Sequence, residues 1–398
     1  MQDLNIVFGS DLLSYHKPKI SSWGRVTLLC NHSSLGASYE YSPLSVSCFL
    51  GDKLRSLHSP QHGFWGTEQD NMLETSDSFF SPLSLPVYSL YHSKREPDER
   101  SLADVDTILV DIQIVGCRVY TFKWTIFNCL LAAKKLKKKV VILDRPNPLG
   151  GEVLEGSVLK EEAFSFVGLL PIPMRHGLTV GEFAKLANKN IGAELEILPI
   201  KNWKASSFWS EYRDFWPFTS PNLPSFSSVI LYPGFVLFEG TNISEGRGTT
   251  LPFQIIGAPY IKEPEKLIKK VLDYTQNDDS VFLKPTYFKP TFNKWKDEVC
   301  GGIQVIIKDA KRVRSYKLAL SILKSVLDLY GKYFNWTEPP YEYELYNRPI
   351  NLILGSNDVA QALVNKTPDN LFWSEGIEDF KKNATSIYLY ERVLNRAS

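Results

Sequence analysis

Thr107-Ile-Leu-Val110 and Lys139-Val-Val-Ile-Leu143 are two short apolar runs, and between them Tyr120 to Lys138 has helical length and apolar spacing. Runs this short, rich in Val, Ile and Leu, match strands buried on both faces of a parallel sheet. The three segments together predict a βαβ unit. The basic run Lys134-Lys-Leu-Lys-Lys-Lys139 closes the helix, where positive charge suits the C-terminal end of the helix dipole.

Similar runs recur on the N-terminal side: Arg25-Val-Thr-Leu-Leu-Cys30, Leu54-Arg-Ser-Leu-His58 and Leu85-Pro-Val-Tyr-Ser-Leu90. Glu194-Leu-Glu-Ile-Leu-Pro199 extends the series. Thr179 followed by Glu182 forms a capping box before Phe183-Ala-Lys-Leu-Ala187, so Glu182 reads as structural. Past Thr250 the texture changes. Glu263 to Thr275 and Ser315 to Tyr330 read as amphipathic helices, Gly302 to Lys308 alternates like a strand, and Asp369 to Leu389 looks helical. The expected class is α/β: a Rossmann-like domain with a mostly parallel sheet over residues 1–250, and a smaller α/β domain over 251–398 closing a cleft against it. At 398 residues the chain is long enough for both.

In open α/β sheets ligands bind outside the carboxyl ends of the strands. Polar residues gather there in this chain. Asn31 follows the first run, Gln61 and His62 the second, Asp111, Gln113, Arg118 and Tyr120 the fourth, and Asp144, Arg145 and Asn147 the fifth. His176, just outside the capped helix, joins them as a candidate. Asn31-His-Ser-Ser-Leu-Gly36 lacks the glycines that admit a pyrophosphate, and no phosphate-cradling G-x-x-x-x-G-K-[ST] occurs. A Rossmann-like topology without a dinucleotide, and no cofactor, is the expectation.

Lys+Arg (45) and Asp+Glu (44) balance, and no long basic stripe is present, which argues against nucleic acid. No apolar run approaches the roughly 18 residues that span a bilayer. Met1-Gln-Asp-Leu-Asn5 carries neither a basic n-region nor an apolar h-region, so a cytoplasmic protein is expected. Cys30, Cys48, Cys117, Cys129 and Cys300 are scattered and odd in number, which fits reduced thiols.

The densest chemistry lies in Glu239-Gly-Thr-Asn-Ile-Ser-Glu-Gly-Arg-Gly-Thr249. Two carboxylates, a guanidinium, an amide and several hydroxyls are spaced by glycines that let backbone approach a ligand. The plainer reading is a solvated loop held by an internal Glu–Arg pair. The histidines show no H-x-x-x-H spacing, which leaves only a composite metal site of Asp111, Asp144 and His62 to weigh. No G-x-S-x-G elbow occurs, and Cys117 reads as core. Carboxylate chemistry remains: Asp111, Asp144, Glu155, Glu239 and Glu245, with Arg145 and Arg247 to tune or orient them. Taken one at a time these are ion-pair or capping residues. As a set they fit glycoside cleavage, which needs one protonated and one charged acid.

Several ordered motifs resemble one family across nearly the whole chain. They are Pro60-Gln-His-Gly-Phe-Trp-Gly66, Asp111-Ile-Gln-Ile-Val-Gly-Cys-Arg-Val-Tyr-Thr121, Leu143-Asp-Arg-Pro-Asn-Pro148, Glu155-Gly156, Ser165-Phe-Val-Gly168, Pro173-Met-Arg-His-Gly-Leu-Thr179, Ser220-Pro-Asn222 and Phe238 to Thr249. The family is domain-of-unknown-function family 1343, now associated with exo-acting β-N-acetylmuramidases of glycoside hydrolase family 171. The resemblance implies a cleft between the two domains and release of N-acetylmuramic acid from the non-reducing ends of peptidoglycan fragments (muropeptides). Glu239 and Glu245 are then the candidates for acid and stabiliser, supported by Asp111. Arg145, His62 and Arg247 would orient the lactyl carboxylate and acetamido group, with Asn242 also in the loop. One position departs: the family usually reads Pro-Glu-His-Gly where this chain has Gln61. An amide cannot titrate. Either another carboxyl carries the acid role, or this member binds muropeptides without cleaving them.

Overall fold

The computed structural model describes residues 5–70, 72–92, 95–357, 359–365 and 374–393. Seven strands form the larger sheet: β1 (Val26–Leu29), β2 (Leu54–Ser59), β3 (Ser78–Phe80), β4 (Leu85–Ser89), β5 (Thr107–Val110), β6 (Lys139–Leu143) and β7 (Glu194–Leu198). Their order is β3-β4-β2-β1-β5-β6-β7, parallel throughout except for β3 against β4. The smaller sheet is antiparallel, ordered β8-β10-β9 from β8 (Ile255–Ala258), β9 (Val281–Phe288) and β10 (Cys300–Ile307). The helices are α1 (Lys17–Ser21), α2 (Ser42–Leu50), α3 (Phe122–Leu136), α4 (Val180–Ile191), α5 (Phe226–Phe235), α6 (Pro264–Thr275), α7 (Ser315–Tyr330), α8 (Pro349–Leu354), α9 (Val359–Asn365) and α10 (Ile377–Ala384). The chain is thus α/β, with a Rossmann-like parallel sheet followed by a small α/β unit.

The uninterrupted apolar runs have a direct cause. Successive side chains of a strand point to opposite faces, and both faces of this sheet are covered. Ile108, Val110, Val140 and Ile142 enter the core with α3 and α4, while Leu109, Val141 and Leu143 face a second core built on Ile20 of α1 and Val46 and Leu50 of α2. The first core continues into the C-terminal half through α5 and α7. Helix α5 is buried along almost its whole length, as expected of a helix that is apolar all round. It lies so close to the start of α7 that a Cβ on Gly234 would sit 1.9 Å from the Ser315 carbonyl oxygen.

One expectation changes. Of the tail read as helical from Asp369 to Leu389, α10 covers Ile377–Ala384 and a short 3-10 turn follows over Thr385–Ile387; residues 369–373 lie outside the described residues. Strand β9 is an edge of the small sheet with one buried residue, Leu283, and carries Pro285 where an edge tolerates the missing N–H. Among the described residues no helix is long and apolar enough to cross a membrane. All five thiols are free.

Candidate active site

A cavity opens beyond the carboxyl end of β2, where the sheet meets the C-terminal half. Gln61 and His62 line it from the loop after β2, and Tyr120 and Thr121 from the turn before α3. Tyr232 of α5, Glu239 and Arg247 form another side, and Tyr341 and Glu342, between α7 and α8, close it. About 30 Å³ is open to a water-sized sphere, room for about one water.

Glu239 stands in the 3-10 turn Val236–Gly240 that ends α5. Its Oε1 lies 2.6 Å from Arg247 Nη2, and its Oε2 accepts the Tyr341 hydroxyl at 2.7 Å. Arg247 reaches it because the loop turns back at Gly246 and Gly248, both with φ near +80°. A Cβ at these positions would meet the Ile255 and Phe292 carbonyl oxygens at 2.8 and 2.5 Å, so only glycine fits. Burial pulls the Arg247 guanidinium down, and Glu239 and Glu245 more than offset it, leaving its pKa above the ordinary value. The internal Glu–Arg pair foreseen for this loop therefore exists, but it is buried and faces a cavity.

Glu342 approaches from the opposite wall and is 4 % exposed. Its Oε1 accepts the Gln61 Nε2 hydrogen at 3.0 Å and its Oε2 the Tyr91 hydroxyl at 2.7 Å. The Gln61 amide is fixed at its other end, since Oε1 accepts from Thr121. Burial pushes the Glu342 carboxyl above its ordinary value, against hydrogen bonds from Tyr91 and Gln61 that pull it down; Glu239 adds to the rise. His62 donates Nδ1–H to the Glu68 carbonyl at 2.7 Å, since a carbonyl can only accept, which leaves Nε2 as the acceptor of the ring. Burial drives this imidazole down to about 4.

Residues 26–227 match the family model described as exo-beta-N-acetylmuramidase NamZ, N-terminal, and residues 230–390 match the C-terminal model of the same family. The chain belongs to this family. It is 40 % identical over 317 residues to the peptidoglycan β-N-acetylmuramidase NamZ of Bacillus subtilis (strain 168), covering 78 % of this chain and 75 % of that relative. Its fold is similar to two crystal structures of DUF1343-family proteins from Bacteroides fragilis NCTC 9343. One has a TM-score of 0.84 at 27 % identity, covering 98 % of this chain and all of the other. The second has a TM-score of 0.72 at 25 % identity, covering 98 % and 99 %.

Of the residues singled out from sequence, the cavity gathers Gln61, His62, Tyr120, Glu239 and Arg247. Glu245 is off its wall, held 3.2 Å from Arg247 Nε and 2.9 Å from Lys294 Nζ. Asp111 and Arg145 form a fully buried pair, Nε to Oδ1 2.5 Å, with Ser42 on the other carboxylate oxygen. Asn31 caps Ser33 beside them. The crevice between β1 and β5, where the sheet order reverses, is thus filled by side chains satisfying one another. Asp144 accepts from Gly181 N at 2.7 Å and Thr179 Oγ1 at 3.0 Å at the start of α4. Gln113 donates to the Ile114 and Pro146 carbonyls, Asn147 to that of Leu178, and Arg118 to those of Ser157, Ile172 and Ile353. His176 Nδ1 accepts from Leu178 N, and Asn242 bonds Tyr333 O and the Tyr260 hydroxyl. The Thr179–Glu182 capping box forms, with Arg392 bidentate on Glu182. Glu155 pairs with Arg175 at 2.9 Å. Among the described residues no group of three His, Cys, Asp or Glu side chains is arranged to hold a metal.

Glu342 and Tyr341 were not among the residues singled out from sequence, and Tyr91, at the end of a strand-like run, and Thr121, in the motif from Asp111, had no site role there. The signal available was the run Pro339-Pro-Tyr-Glu-Tyr-Glu344, in which carboxylates alternate with aromatics between two helices.

Proposed function

We propose that this chain is an exo-acting β-N-acetylmuramidase that removes N-acetylmuramic acid from the non-reducing ends of small peptidoglycan fragments. The observation that carries the reading is that two buried carboxyl groups from distant parts of the chain, Glu239 and Glu342, line one cavity beside Arg247. Cleaving a glycosidic bond needs a pair of carboxyl groups flanking it. Glu239, ion-paired with Arg247 and accepting from Tyr341, is the charged partner that stabilises the positive charge developing at the anomeric carbon. Glu245 supports it at one remove, by holding Arg247 in place.

His62 Nε2 and the Tyr120 face supply contacts for the acetamido and lactyl groups of the sugar. The cavity is narrow, with about 30 Å³ open to a water-sized sphere. Exo action is what the family match over both halves of the chain supports. The test is incubation with the disaccharide N-acetylmuramyl-β-1,4-N-acetylglucosamine and with a 4-nitrophenyl β-N-acetylmuramide. Release of free muramic sugar from both is expected. Binding in a calorimeter with no product after days would replace the enzyme by a muropeptide-binding protein, an outcome that the uncharged Gln61 makes worth testing directly.

A further inference from the structure

Gln61 lines the cavity but can neither give nor take a proton at ordinary pH, so the cleavage step must find its acid elsewhere. We propose that Glu342 is the proton donor to the glycosidic oxygen and that Gln61 and Tyr91 are positioning residues that aim its carboxyl group. This assignment rests on the muramidase reading.

Three features of the structure support it. First, Glu342 is one of two carboxyl groups on the cavity wall, and the other, Glu239, is ion-paired with a guanidinium. A carboxylate in such a pair is suited to stay charged. The hydrogen-bond donors to Glu342, Gln61 and Tyr91, are neutral, an environment suited to a carboxyl group that holds a proton; the Arg95 guanidinium is the charged group that opposes this. Second, both Glu342 (φ 47°) and Tyr343 (φ 69°) occupy the left-handed region, which is unfavourable for a residue other than glycine. The turn is bridged between Tyr341 and Glu344 and pinned by contacts from the first half of the chain: Tyr91 and Gln61 on Glu342, the Arg95 guanidinium 3.8 Å from the Tyr343 ring centroid, and the Tyr343 hydroxyl on the Met72 carbonyl. A local conformation that unfavourable, held by that many distant contacts, places one carboxyl group in the cavity. Third, burial and the nearby Glu239 favour the protonated form of Glu342.

In the step, the Glu342 carboxyl gives its proton to the glycosidic oxygen as the bond from the anomeric carbon to that oxygen breaks, and the bonding electron pair leaves with the oxygen. Water adds its hydroxyl to the anomeric carbon, and the proton it sheds restores the Glu342 carboxyl. No oxidant, metal or cofactor is consumed.

A general acid matters in proportion to how badly the leaving group needs a proton. Glu342→Gln should therefore lower kcat on the disaccharide about 100-fold or more, and cost less than about tenfold on the 4-nitrophenyl glycoside, whose leaving group is stable as an anion. The basic limb of the pH profile should vanish with the second substrate. Tyr91→Phe removes a donor that favours the charged form, so it should shift the basic limb of disaccharide cleavage to higher pH without abolishing it. Thermal melts of both variants confirm folding, and Tyr91→Phe keeps the test open should Glu342→Gln fail to fold. Equal losses on the two substrates, or an unmoved basic limb in Tyr91→Phe, would overturn the assignment while leaving the muramidase reading intact. A wild type that cleaves neither substrate would overturn both.

Discussion

The Gln61 amide and the Glu342 carboxylate meet at 3.0 Å across 281 residues of sequence, joining the rim of the parallel sheet to the turn that follows α7. A neutral donor in that place holds Glu342 without competing for its proton. Gln61→Glu puts a second carboxyl in contact with the first, and two carboxyls that close cannot both ionise cheaply. The basic limb of activity should therefore move up by about one pH unit or more, with the pair titrating as a unit. Unfolding midpoints should also fall above neutral pH, where both groups are driven to ionise. A pH–kcat/KM series on the wild type and this variant, with melts at each pH, reads both; coincident profiles would show that the two side chains are not coupled.

Arg247 bridges Glu239 and Glu245 at 2.6 and 3.2 Å, and Lys294 joins the cluster on Glu245 at 2.9 Å. Removing one member of a buried ion pair strands the others, which costs about 3–5 kcal/mol. Arg247→Ala should lose that much stability in denaturant and all measurable activity. Glu239→Gln keeps the shape and should lose activity with a smaller stability change. Glu245→Gln, off the cavity and also tied to Lys294, should show the converse: reduced stability with kcat within a few-fold of wild type. Were Glu245→Gln to be folded and inert, Glu245 and not Glu239 would be the residue acting on substrate.

Asp111 and Arg145 looked like site residues because each ends a parallel strand at the rim. They are 0 % and 1 % exposed and bonded to each other. Asp111→Asn leaves a buried guanidinium uncompensated and should cost about 3–5 kcal/mol, while the folded fraction retains near-normal kcat on the disaccharide. A stable but inactive Asp111→Asn would return the residue to the catalytic group.

These cases mark what sequence could show of this molecule. Strands β1, β2, β5 and β6 were readable because burial on both faces imposes continuous apolar runs, and α3 and α4 because their spacing and the Thr179–Glu182 cap are local. The glycine loop around Glu239 was readable because glycine is required wherever φ is positive and backbone crowds in. Position at a strand end, by contrast, says nothing about whether a polar side chain faces a ligand or a neighbour, which is why Asp111, Asp144 and Asn147 looked the same as His62. Glu342 left only the short alternation Tyr341-Glu-Tyr-Glu344, which does not say which side chain faces a cavity. Its place is fixed by Gln61 and Tyr91, which reach it only once the chain has folded.

Two buried histidines, His58 and His176, and two half-buried ones, His32 and His62, make the last prediction. Burial lowers His58 and His62 from 6.5 to about 4 each, lowers His32 and carries His176 well below its ordinary value. For His58, Asp77 and Asp98 oppose that shift without cancelling it, and its Nδ1 lies 2.8 Å from Thr27 Oγ1. Because these folded-state values lie below the unfolded ones, the unfolded chain binds protons first as pH falls. Stability is fully present above pH 6.5 and drains away between 6.5 and 4, at a maximum of about 1.4 kcal/mol per pH unit for each histidine. His58 and His62 alone then remove of the order of 3 kcal/mol each by pH 4. Denaturant midpoints measured from pH 7.5 to 4.5 should fall with a slope of more than one proton, and His58→Asn should reduce that slope by one proton whatever it does to stability at pH 7. A slope unchanged in His58→Asn would mean that His58 takes up its proton without unfolding the protein.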